Sequence, residues 1–376
     1  MSIKKRSRAA EPLARVCCRG AVRTATAPHR LRTATSNLPS LLTPLSHCVR
    51  SLRSSLAHAR CHEGSVARAR LCRRSVAARG LLSYCRRPTE TGFRVEGDVR
   101  GVTDDSEDPN DEAQYHLDVT SADVADTVLL PGDPDRVEKI TQFWDTAEEK
   151  ARHREYHTVT GDYEETPITV TSTGIGSPSA AIAVEELARV GVDTFLRVGS
   201  CGAIQPEMDV GDLVITTGGV RQEGTSAEYV REDYPAVADY EVVTALVAAA
   251  ERLGYNYHTG VTMSADSFYA GQGRPGYDGY ESPANETLVD ELQAANVKNI
   301  EMEASAIATL AGIFGLRAGA VCTVYANRET GEFQTAGENR AAETASLAVH
   351  LLARMDEVKR EAGADRWHAG LSLDLD

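Results

Sequence analysis

The segment that most constrains how this chain can fold is residues 168–203. A β-type run stops at Gly174-Ile175-Gly176, and apolar residues at helical spacing follow directly. A second β-type run ends before Gly199-Ser200-Cys201-Gly202, and its only cation is Arg197. Strand, glycine turn, helix and strand make a βαβ unit, in which ligands collect at the carboxyl ends of the strands because free backbone N–H groups attract anions there. An arginine and a serine hydroxyl at that edge suit a phosphate group.

Two other loops carry side chains that suit a ligand. A short strand leads into the turn PGDP, where Gly132 lets the backbone approach a ligand closely and Arg136 follows in the first helical turn. The later loop ADSFYAGQGR places an aromatic ring, an amide and a guanidinium among glycines. Phe268 could stack on a flat base, Gln272 could pair with its N–H and C=O edge, and Arg274 could donate to a carbonyl oxygen.

A pair of carboxylates, Glu301 and Glu303, marks a third chemical feature. Two residues apart on a strand, they share one face, so both could face a ligand. Paired carboxylates also suit hydrolytic acid–base chemistry, which remains an alternative at this point. The helix that follows Gly176 has one apolar face, and we expect its Glu185, Glu186 and Arg189 to point mostly outward.

The distribution of charge divides the chain. Up to residue 94 there are 20 Lys+Arg and 3 Asp+Glu, whereas from residue 95 onward 20 Lys+Arg face 52 Asp+Glu. The first hundred residues show no sustained period of 2 or 3.6, so we expect them to form no packed core. We predict a basic extension over 1–101, an acidic arm over 102–125, a folded domain over 126–361 and a flexible acidic tail over 362–376.

Four interpretations of residues 1–101 stay open. An Arg- and Ser-rich segment with few acids is typical of an organellar targeting peptide. Its charge suits a nucleic-acid-binding tail, but interleaved aromatic residues are missing and we expect no nucleic-acid partner. Its cysteines form no C-x-x-C pair, which argues against a zinc module. The interpretation we favour is a translated upstream region outside the native protein, with Val102 at a GTG initiator codon.

The acidic part of the chain has its own signature. From residue 102 onward its only lysines are Lys139, Lys150, Lys298 and Lys359. High acid content with few lysines favours solubility where salt screens self-repulsion, so we expect a salt-rich cytoplasm; the alternative is an ordinary acidic enzyme. Its two cysteines, at 201 and 322, lie in apolar runs and imply no disulfide framework. No apolar stretch reaches the roughly 20 residues that span a bilayer, so we expect no membrane association.

Three motifs together carry a family resemblance. TSTGIGSPSAAIAVEELARVGVDTFLRVGSCGAI, with LLPGDPDRVEKI and IEMEASAI, resembles the nucleoside phosphorylase family, and most closely its uridine phosphorylase branch. The match covers roughly residues 114–356, and its motifs agree in order and spacing. The resemblance implies an α/β, single-domain fold with a central mixed β-sheet flanked by helices. It also implies reversible phosphorolysis of uridine to uracil and α-D-ribose 1-phosphate in a homo-oligomer, a hexamer built from dimers.

The resemblance implies a role for each candidate site residue. The implied phosphate ligands are Gly132, Arg136, Arg197 and Ser200, with Arg154 from a neighbouring subunit. The implied ribose ligands are Met302 and Glu303, with His116 from a neighbouring subunit. The implied base ligands are Phe268, Gln272, Arg274, Glu301 and Arg328. Catalysis would rest on Arg136, Arg154, Arg197 and Glu303. Phosphate is a co-substrate and no cofactor is implied, but a monovalent cation such as K⁺ binds in some members at positions matching Glu155, Ile175 and Ser179.

Rival functions differ in what they require of the sequence. A purine nucleoside phosphorylase fits RVGSCGA, but purine-cleaving relatives place an aspartate where this chain has Ala326-Asn327-Arg328. A hydrolytic nucleosidase of the same fold would need no phosphate arginines, and a nucleoside sensor without turnover would be expected to lose them. A dinucleotide-binding dehydrogenase is disfavoured because GIGSPS lacks the full G-x-G-x-x-G pattern.

Overall fold

One eleven-stranded mixed sheet, with helices against it, organises the chain in a computed structural model that describes residues 112–335 and 337–371. The predicted extension 1–101 and the first part of the acidic arm lie outside these residues. The strands are β1 (Thr127–Leu130), β2 (Thr146–His153), β3 (Tyr156–Tyr163), β4 (Thr166–Thr171), β5 (Thr194–Ala203), β6 (Leu213–Gln222), β7 (Ala236–Val237), β8 (Tyr257–Ala265), β9 (Asn299–Glu301), β10 (Arg317–Asn327) and β11 (Glu332–Phe333). The helices are α1 (Asp135–Thr141), α2 (Ser177–Arg189), α3 (Tyr240–Leu253), α4 (Leu288–Ala294), α5 (Ala304–Phe314) and α6 (Glu338–Ala362).

Strand pairing closes part of the sheet on itself. The strands run in the order β11-β10-β6-β8-β9-β5-β1-β4-β3-β2, and β10 also pairs with β5. The path β10-β6-β8-β9-β5 therefore returns to β10. Within it β10 and β5 are parallel, as are β6, β8 and β9, while β10–β6 and β5–β9 are antiparallel. The predicted single α/β domain with a mixed sheet is confirmed.

The core is divided between the two faces of the sheet. Along β1, Leu129 packs into a cluster with α1, α3 and α6, whereas Val128 and Leu130 pack into a second cluster with α2 and α5. Successive strand residues point to opposite faces, so an apolar run covered on both faces reads as continuously hydrophobic. Burial of both faces is why β1 shows no polar alternation.

The two glycine clusters differ in whether they form the predicted break in the chain. Gly174 and Gly176 have φ of 72° and 102°, so the turn before α2 needs glycine, as predicted. The chain was also expected to turn at Gly199, but β5 continues to Ala203. Gly199 pairs with Cys322 of β10, and a Cβ there would lie 2.7 Å from Cys322 Sγ. Gly199 therefore serves close packing between strands rather than a turn.

Both ends of the domain extend beyond the family motifs. In the predicted acidic arm, Leu117 and Val119 are fully buried in the α2 and α5 cluster. The expectation that Glu186 points outward was wrong, because its carboxylate accepts hydrogen bonds from the backbone N–H groups of His116 and Leu117 and is buried. In the predicted flexible tail, Trp367 packs against the cluster that contains α3 and α6.

Candidate active site

A cavity of about 550 Å³ opens where the loops after β1, β4 and β8 meet the ends of β9 and β10 and the middle of β5. Its walls carry most of the predicted site residues. Those that line it are Gly132, Arg136, Arg197, Ser200, Phe268, Gln272, Arg274, Glu301, Met302 and Glu303. It is also lined by residues for which we predicted another role or none, including Ile175, Cys201, Tyr325 and Phe333.

One end of the cavity is cationic. Arg136, in the first turn of α1, donates from Nη2 to Ser200 Oγ at 3.1 Å. Gly132 lies beside the turn after β4, and a Cβ at Gly132 would approach the carbonyl oxygen of Gly174 to 3.1 Å. The absence of a side chain therefore keeps backbone exposed between the two loops. A guanidinium, a hydroxyl and exposed backbone at one place suit a phosphate.

Arg197 lies beneath the same end of the cavity. Its Nε donates to Glu301 Oε2 at 2.7 Å and its Nη2 contacts Glu303 Oε2, but its buried Nη1 has no hydrogen-bond partner within the described residues. Burial alone would lower the pKa of Arg197, but the neighbouring carboxylates of Glu303 and Glu301 outweigh it and raise that pKa. The residue is thus a permanent cation with donor capacity left unused.

The two carboxylates occupy different environments, although the sequence predicted that they share one face. Glu301 ends β9, and its oxygens accept from Ser264 Oγ and from the N–H groups of Glu303 and Ala304 at 2.8 and 3.0 Å, as well as from Arg197. Glu301 thus holds Arg197 and the start of α5, and its acceptor sites are used within the protein. Glu301 lines the cavity, but its oxygens are occupied by these contacts, whereas the sequence analysis assigned it to the base.

Glu303 precedes α5 and is the freer of the two carboxylates. Its Oε1 accepts from the backbone N–H of Gly176 at 2.5 Å, and its other oxygen faces Arg197. Burial raises the pKa of Glu303, an effect that Arg197 partly offsets and Glu301 reinforces. Met302 lies beside it, and its carbonyl accepts from Ser177 Oγ at 2.8 Å, which fixes this segment against the start of α2.

The opposite end of the cavity is aromatic and polar. The guanidinium carbon of Arg274 lies 4.7 Å from the centre of the Phe268 ring, and the buried Arg274 Nε has no hydrogen-bond partner among the described residues. Burial lowers the pKa of Arg274. Gln272 is 3% exposed and lines the wall. A ring face, an amide and an unpaired guanidinium N–H suit a flat base with carbonyl oxygens.

Arg328 lies behind this loop and does not line the cavity. Its Nη1 donates to the carbonyl of Gln272 and its Nη2 to that of Gly273 at 3.1 Å. Burial, and secondarily Arg274, lowers the pKa of Arg328. The structure therefore places Arg328 as a support for the loop, whereas the sequence analysis assigned it to the base.

His116 and Arg154 lie away from this chain's own cavity. His116 Nδ1 donates to Glu186 Oε1 at 2.6 Å. Arg154, with φ of 58°, sits at the tip of the β2–β3 hairpin, and its guanidinium carbon is 5.8 Å from the Tyr115 ring. The two residues share one surface, because His153 Nδ1 lies 2.9 Å from the carbonyl oxygen of His116. Their predicted roles toward a neighbouring subunit stay predictions.

The candidate monovalent-cation residues are only partly gathered. Ser179 Oγ lies 3.0 Å from Glu155 Oε1 and also contacts the carbonyl of Thr173. Ile175 is 78% exposed. Across 112–335 and 337–371 no cluster of three or more His, Cys, Asp or Glu residues could hold a metal ion, and no helix in these ranges is long and apolar enough to cross a membrane.

Tyr325 and Phe333 were missed by sequence analysis. Tyr325 is on β10, where the sequence shows only a buried apolar strand, and Phe333 is on the two-residue strand β11 that pairs with the end of β10. Both reach the cavity because β10 pairs with β5 over its length. No local motif marks such a long-range register, so only the aromatic character of the two residues was visible.

Comparison with known proteins shows which family and which relatives this chain is similar to. Residues 126–353 match the family described as the phosphorylase superfamily. The chain is similar to a uridine phosphorylase of Thermococcus kodakarensis, with 60% identity over 69% of this chain and 93% of the relative. It is 44% identical to an Escherichia coli uridine phosphorylase over 62% of this chain and 94% of that protein. It is 47% identical to a guanosine phosphorylase of Halorubrum lacusprofundi over 58% of this chain and 85% of that protein.

Proposed function

The chain belongs to the phosphorylase superfamily, and we propose that it catalyses the reversible phosphorolysis of uridine to uracil and α-D-ribose 1-phosphate. The observation that carries this function is one cavity with Arg136, Arg197 and Ser200 at one end and Phe268 with Gln272 and Arg274 at the other. An anion and a base bound by these two groups of residues in one cavity can flank one ribose. The chain is a pentosyltransferase.

The phosphate end supplies the nucleophile and its orientation. Cleavage breaks the bond between ribose C1′ and base N1, and a phosphate oxygen forms the new bond to C1′. As the bond breaks, positive charge develops on the ribose, and the phosphate anion held by Arg136, Arg197 and Ser200 lies on the side that stabilises it. The phosphate attacks directly, so no protein nucleophile is needed and the anomeric carbon inverts.

The base end accepts the bonding electrons. The pair from the broken bond stays on the uracil ring, which leaves as an anion stabilised at its two carbonyl oxygens and then takes up at N1 the proton that the phosphate loses. Gln272 can donate to one carbonyl and accept from N3–H, while Arg274, with an unpaired Nε–H, donates to the other. Phe268, half exposed at the cavity, offers its ring to stack on the base.

The ribose lies between these two ends. Glu303 would accept hydrogen bonds from the 2′- and 3′-hydroxyl groups, and Met302 would pack under the sugar. Glu303 suits this role because its carboxylate is buried and held in place by the N–H of Gly176 and by Arg197. A fixed acceptor loses little conformational entropy when the sugar binds.

Purine specificity is disfavoured by the end of β10. An acid there could protonate a purine ring nitrogen, but this chain has Asn327, whose side chain is 1% exposed and donates to the carbonyls of Gln205 and Met208 at 3.0 and 2.6 Å. Asn327 is committed to the fold and carries no proton to give. The similarity to the guanosine phosphorylase of Halorubrum lacusprofundi supports the alternative of a purine substrate.

Finer features belong to the same proposal. His116 and Arg154 lie on one surface away from their own cavity, as expected of residues that contact a neighbouring subunit, and the assembly we propose is a homohexamer built from dimers with shared sites. We also propose K⁺ near Glu155 and Ser179 and a salt-rich cytoplasm for a chain with a formal net charge of −15. Salt would screen the self-repulsion of that charge.

The reaction is tested by following absorbance loss with uridine or inosine, each with and without phosphate, in high salt. Phosphate-dependent cleavage of uridine with inosine untouched supports the proposal. Cleavage without phosphate would identify a nucleosidase, and a preference for inosine would overturn the roles given to Gln272 and Arg274. Product analysis by NMR would detect ribose 1-phosphate in the α configuration if the anomeric carbon inverts.

A further inference from the structure

A carboxylate outside the predicted site contacts the phosphate end of the cavity. Glu338, the first residue of α6, accepts a hydrogen bond from Arg136 Nε at 3.0 Å through Oε1. Its other oxygen accepts from Lys139 Nζ at 2.7 Å. Lys139 follows Arg136 by three residues on α1, so Glu338 joins two cations of that helix. The Glu338 side chain is 25% exposed and does not line the cavity itself.

The backbone fixes where Glu338 lies. The preceding residue, Gly337, has φ of 81°, and a Cβ there would lie 3.2 Å from the Cα of Gly211 and 3.3 Å from Thr323 Cγ2. Thr323 Oγ1 donates to the Gly337 carbonyl at 3.1 Å, and Arg340 donates to the Gly211 carbonyl at 2.6 Å. The start of α6 is thereby pinned to β10 and to the turn before β6, so the Glu338 carboxylate has little freedom relative to the sheet.

Arg136 is held on three sides. Glu338 fixes its Nε, Ser200 accepts from its Nη2, and its guanidinium carbon lies 5.6 Å from the centre of the Tyr325 ring. Burial raises the pKa of Tyr325 to about 12, so its phenol stays neutral beside the anion site. Arg136 lines the cavity, so guanidinium N–H groups that do not bind Glu338 or Ser200 can donate to a ligand there.

We infer that Glu338 is a positioning residue, which orients Arg136 toward phosphate without touching either substrate. This inference rests on the proposed function, because it names how that site gains its phosphate affinity. The planar guanidinium binds an oxyanion well only when its fork faces the anion, and an acceptor on Nε sets that orientation in advance. The same negative charge would otherwise repel phosphate, so orientation and repulsion make opposite predictions.

The test measures KM for phosphate and for uridine separately in E338A, E338Q and the wild type. If Glu338 orients Arg136, E338A raises the phosphate KM about tenfold, the loss expected for one charge-assisted hydrogen bond. The uridine KM should change less than about twofold. E338Q keeps a carbonyl oxygen that can accept from Arg136 Nε, so we expect it to restore part of the affinity. A fall in the phosphate KM of E338A would overturn the inference, because repulsion would then dominate.

Two variants control for effects on helix α6 and on Lys139. E343Q makes the same change on α6, where Glu343 contacts Tyr255 and not Arg136, and it should match the wild type. K139M removes the other partner of Glu338 and should change the phosphate KM less than E338A does. Equal rises in both KM values for E338A, or E338Q indistinguishable from E338A, would mean a structural role and overturn the inference. If the wild type cleaves no uridine, phosphate affinity can still be compared among the variants by the rise in Tm that phosphate causes. This measurement separates the inference from the proposed reaction.

Discussion

Arg197 Nε donates a hydrogen bond of 2.7 Å to Glu301 Oε2, and both side chains are almost wholly buried beneath the cavity. Glu303 contacts the same guanidinium from another side. A buried ion pair gains stability only when the remaining donors and acceptors are also satisfied. Glu301 meets that condition through Ser264 and two backbone N–H groups, whereas Arg197 keeps one buried donor, Nη1, without a partner among the described residues. Arg197, for which we propose a role in binding phosphate, is therefore also a structural element of the cavity floor.

Replacing Glu301 should damage stability and activity together. In E301Q the amide NH₂ must face donors that now bind a carboxylate, and Arg197 loses a compensating charge. We expect the free energy of unfolding to fall by about 3 kcal/mol, as when one partner of a buried pair is removed. Urea unfolding measures this free energy. The control is E207Q, because Glu207 pairs with Lys298 at the surface and is half exposed; an E301Q protein as stable as E207Q would contradict the structural role.

The raised pKa of Glu303 predicts how uridine binding depends on pH. Burial raises this pKa above the ordinary 4.5, and only the ionised carboxylate can accept from both ribose hydroxyls. As pH falls, Glu303 takes up a proton earlier than an ordinary glutamate, so the uridine KM should rise at a pH above 4.5. We would measure that KM between about pH 5 and 8 at saturating phosphate.

The matched variant for this pH profile is E303Q. It is isosteric and has no carboxyl proton to gain, so its uridine KM should be higher than that of the wild type but flat over the same range. Phosphate titrates equally in both proteins, and the ratio of the two KM values isolates Glu303. A ratio that stays constant with pH would show that Glu303 does not change its ionisation in this window.

Arg328 supports the loop that carries Gln272, and its replacement should loosen that loop. In R328M the carbonyls of Gln272 and Gly273 lose their guanidinium donors, and we expect kcat/KM for uridine to fall about tenfold with little change in the phosphate KM. Hydrogen exchange of residues 266–274 should speed up. N285A should act in the same direction, because Asn285 Nδ2 donates to the Ala270 carbonyl at 2.6 Å. Unchanged exchange in R328M would favour direct contact with the base.

Local chemistry made much of the site predictable. Arg136, Arg197, Gln272 and Glu303 stand in short motifs, and the structure brings them to one cavity. The turn at Gly174 was predicted because glycine stands there between a strand and a helix, and in the structure this glycine has a positive φ. Where the residue type and its immediate neighbours decide the conformation, the sequence was enough.

Long-range register made the rest unpredictable. Gly199 was read as a turn because a glycine required by a facing strand looks the same in the sequence as one required by φ. Glu186 was expected outward because a carboxylate on a helix usually is, but here it binds backbone N–H groups from a segment 69 and 70 residues earlier. Tyr325 and Glu338 reach the site only through the pairing of β10 and the position of α6. No local pattern records such contacts.

The segment after α6, residues 363–371, forms a strap against the domain, whereas the sequence analysis expected it to be flexible. Beyond the family match, which ends at residue 353, α6 continues to Ala362, and the chain then returns to the start of α3. The backbone N–H of Trp367 donates to Glu241 Oε1 at 2.8 Å, and the backbone carbonyl of Trp367 accepts from Tyr240 Oη at 2.7 Å. Glu241 also accepts from Lys359 Nζ at 2.5 Å, so the strap shares one carboxylate with α6.

Removing the Trp367 ring should destabilise this chain without changing its chemistry. W367A keeps both backbone hydrogen bonds but withdraws an indole that packs, half buried, on the α3 and α6 cluster, and we expect a loss of about 1–2 kcal/mol. Thermal unfolding should show a Tm lower by about 2–4 °C for each kcal/mol in a domain of this size. H368A, which alters the exposed neighbour, should leave Tm unchanged, and both variants should keep the KM values of the wild type. If W367A unfolds at the same temperature as H368A, the packing contributes nothing and the strap is held by its backbone alone.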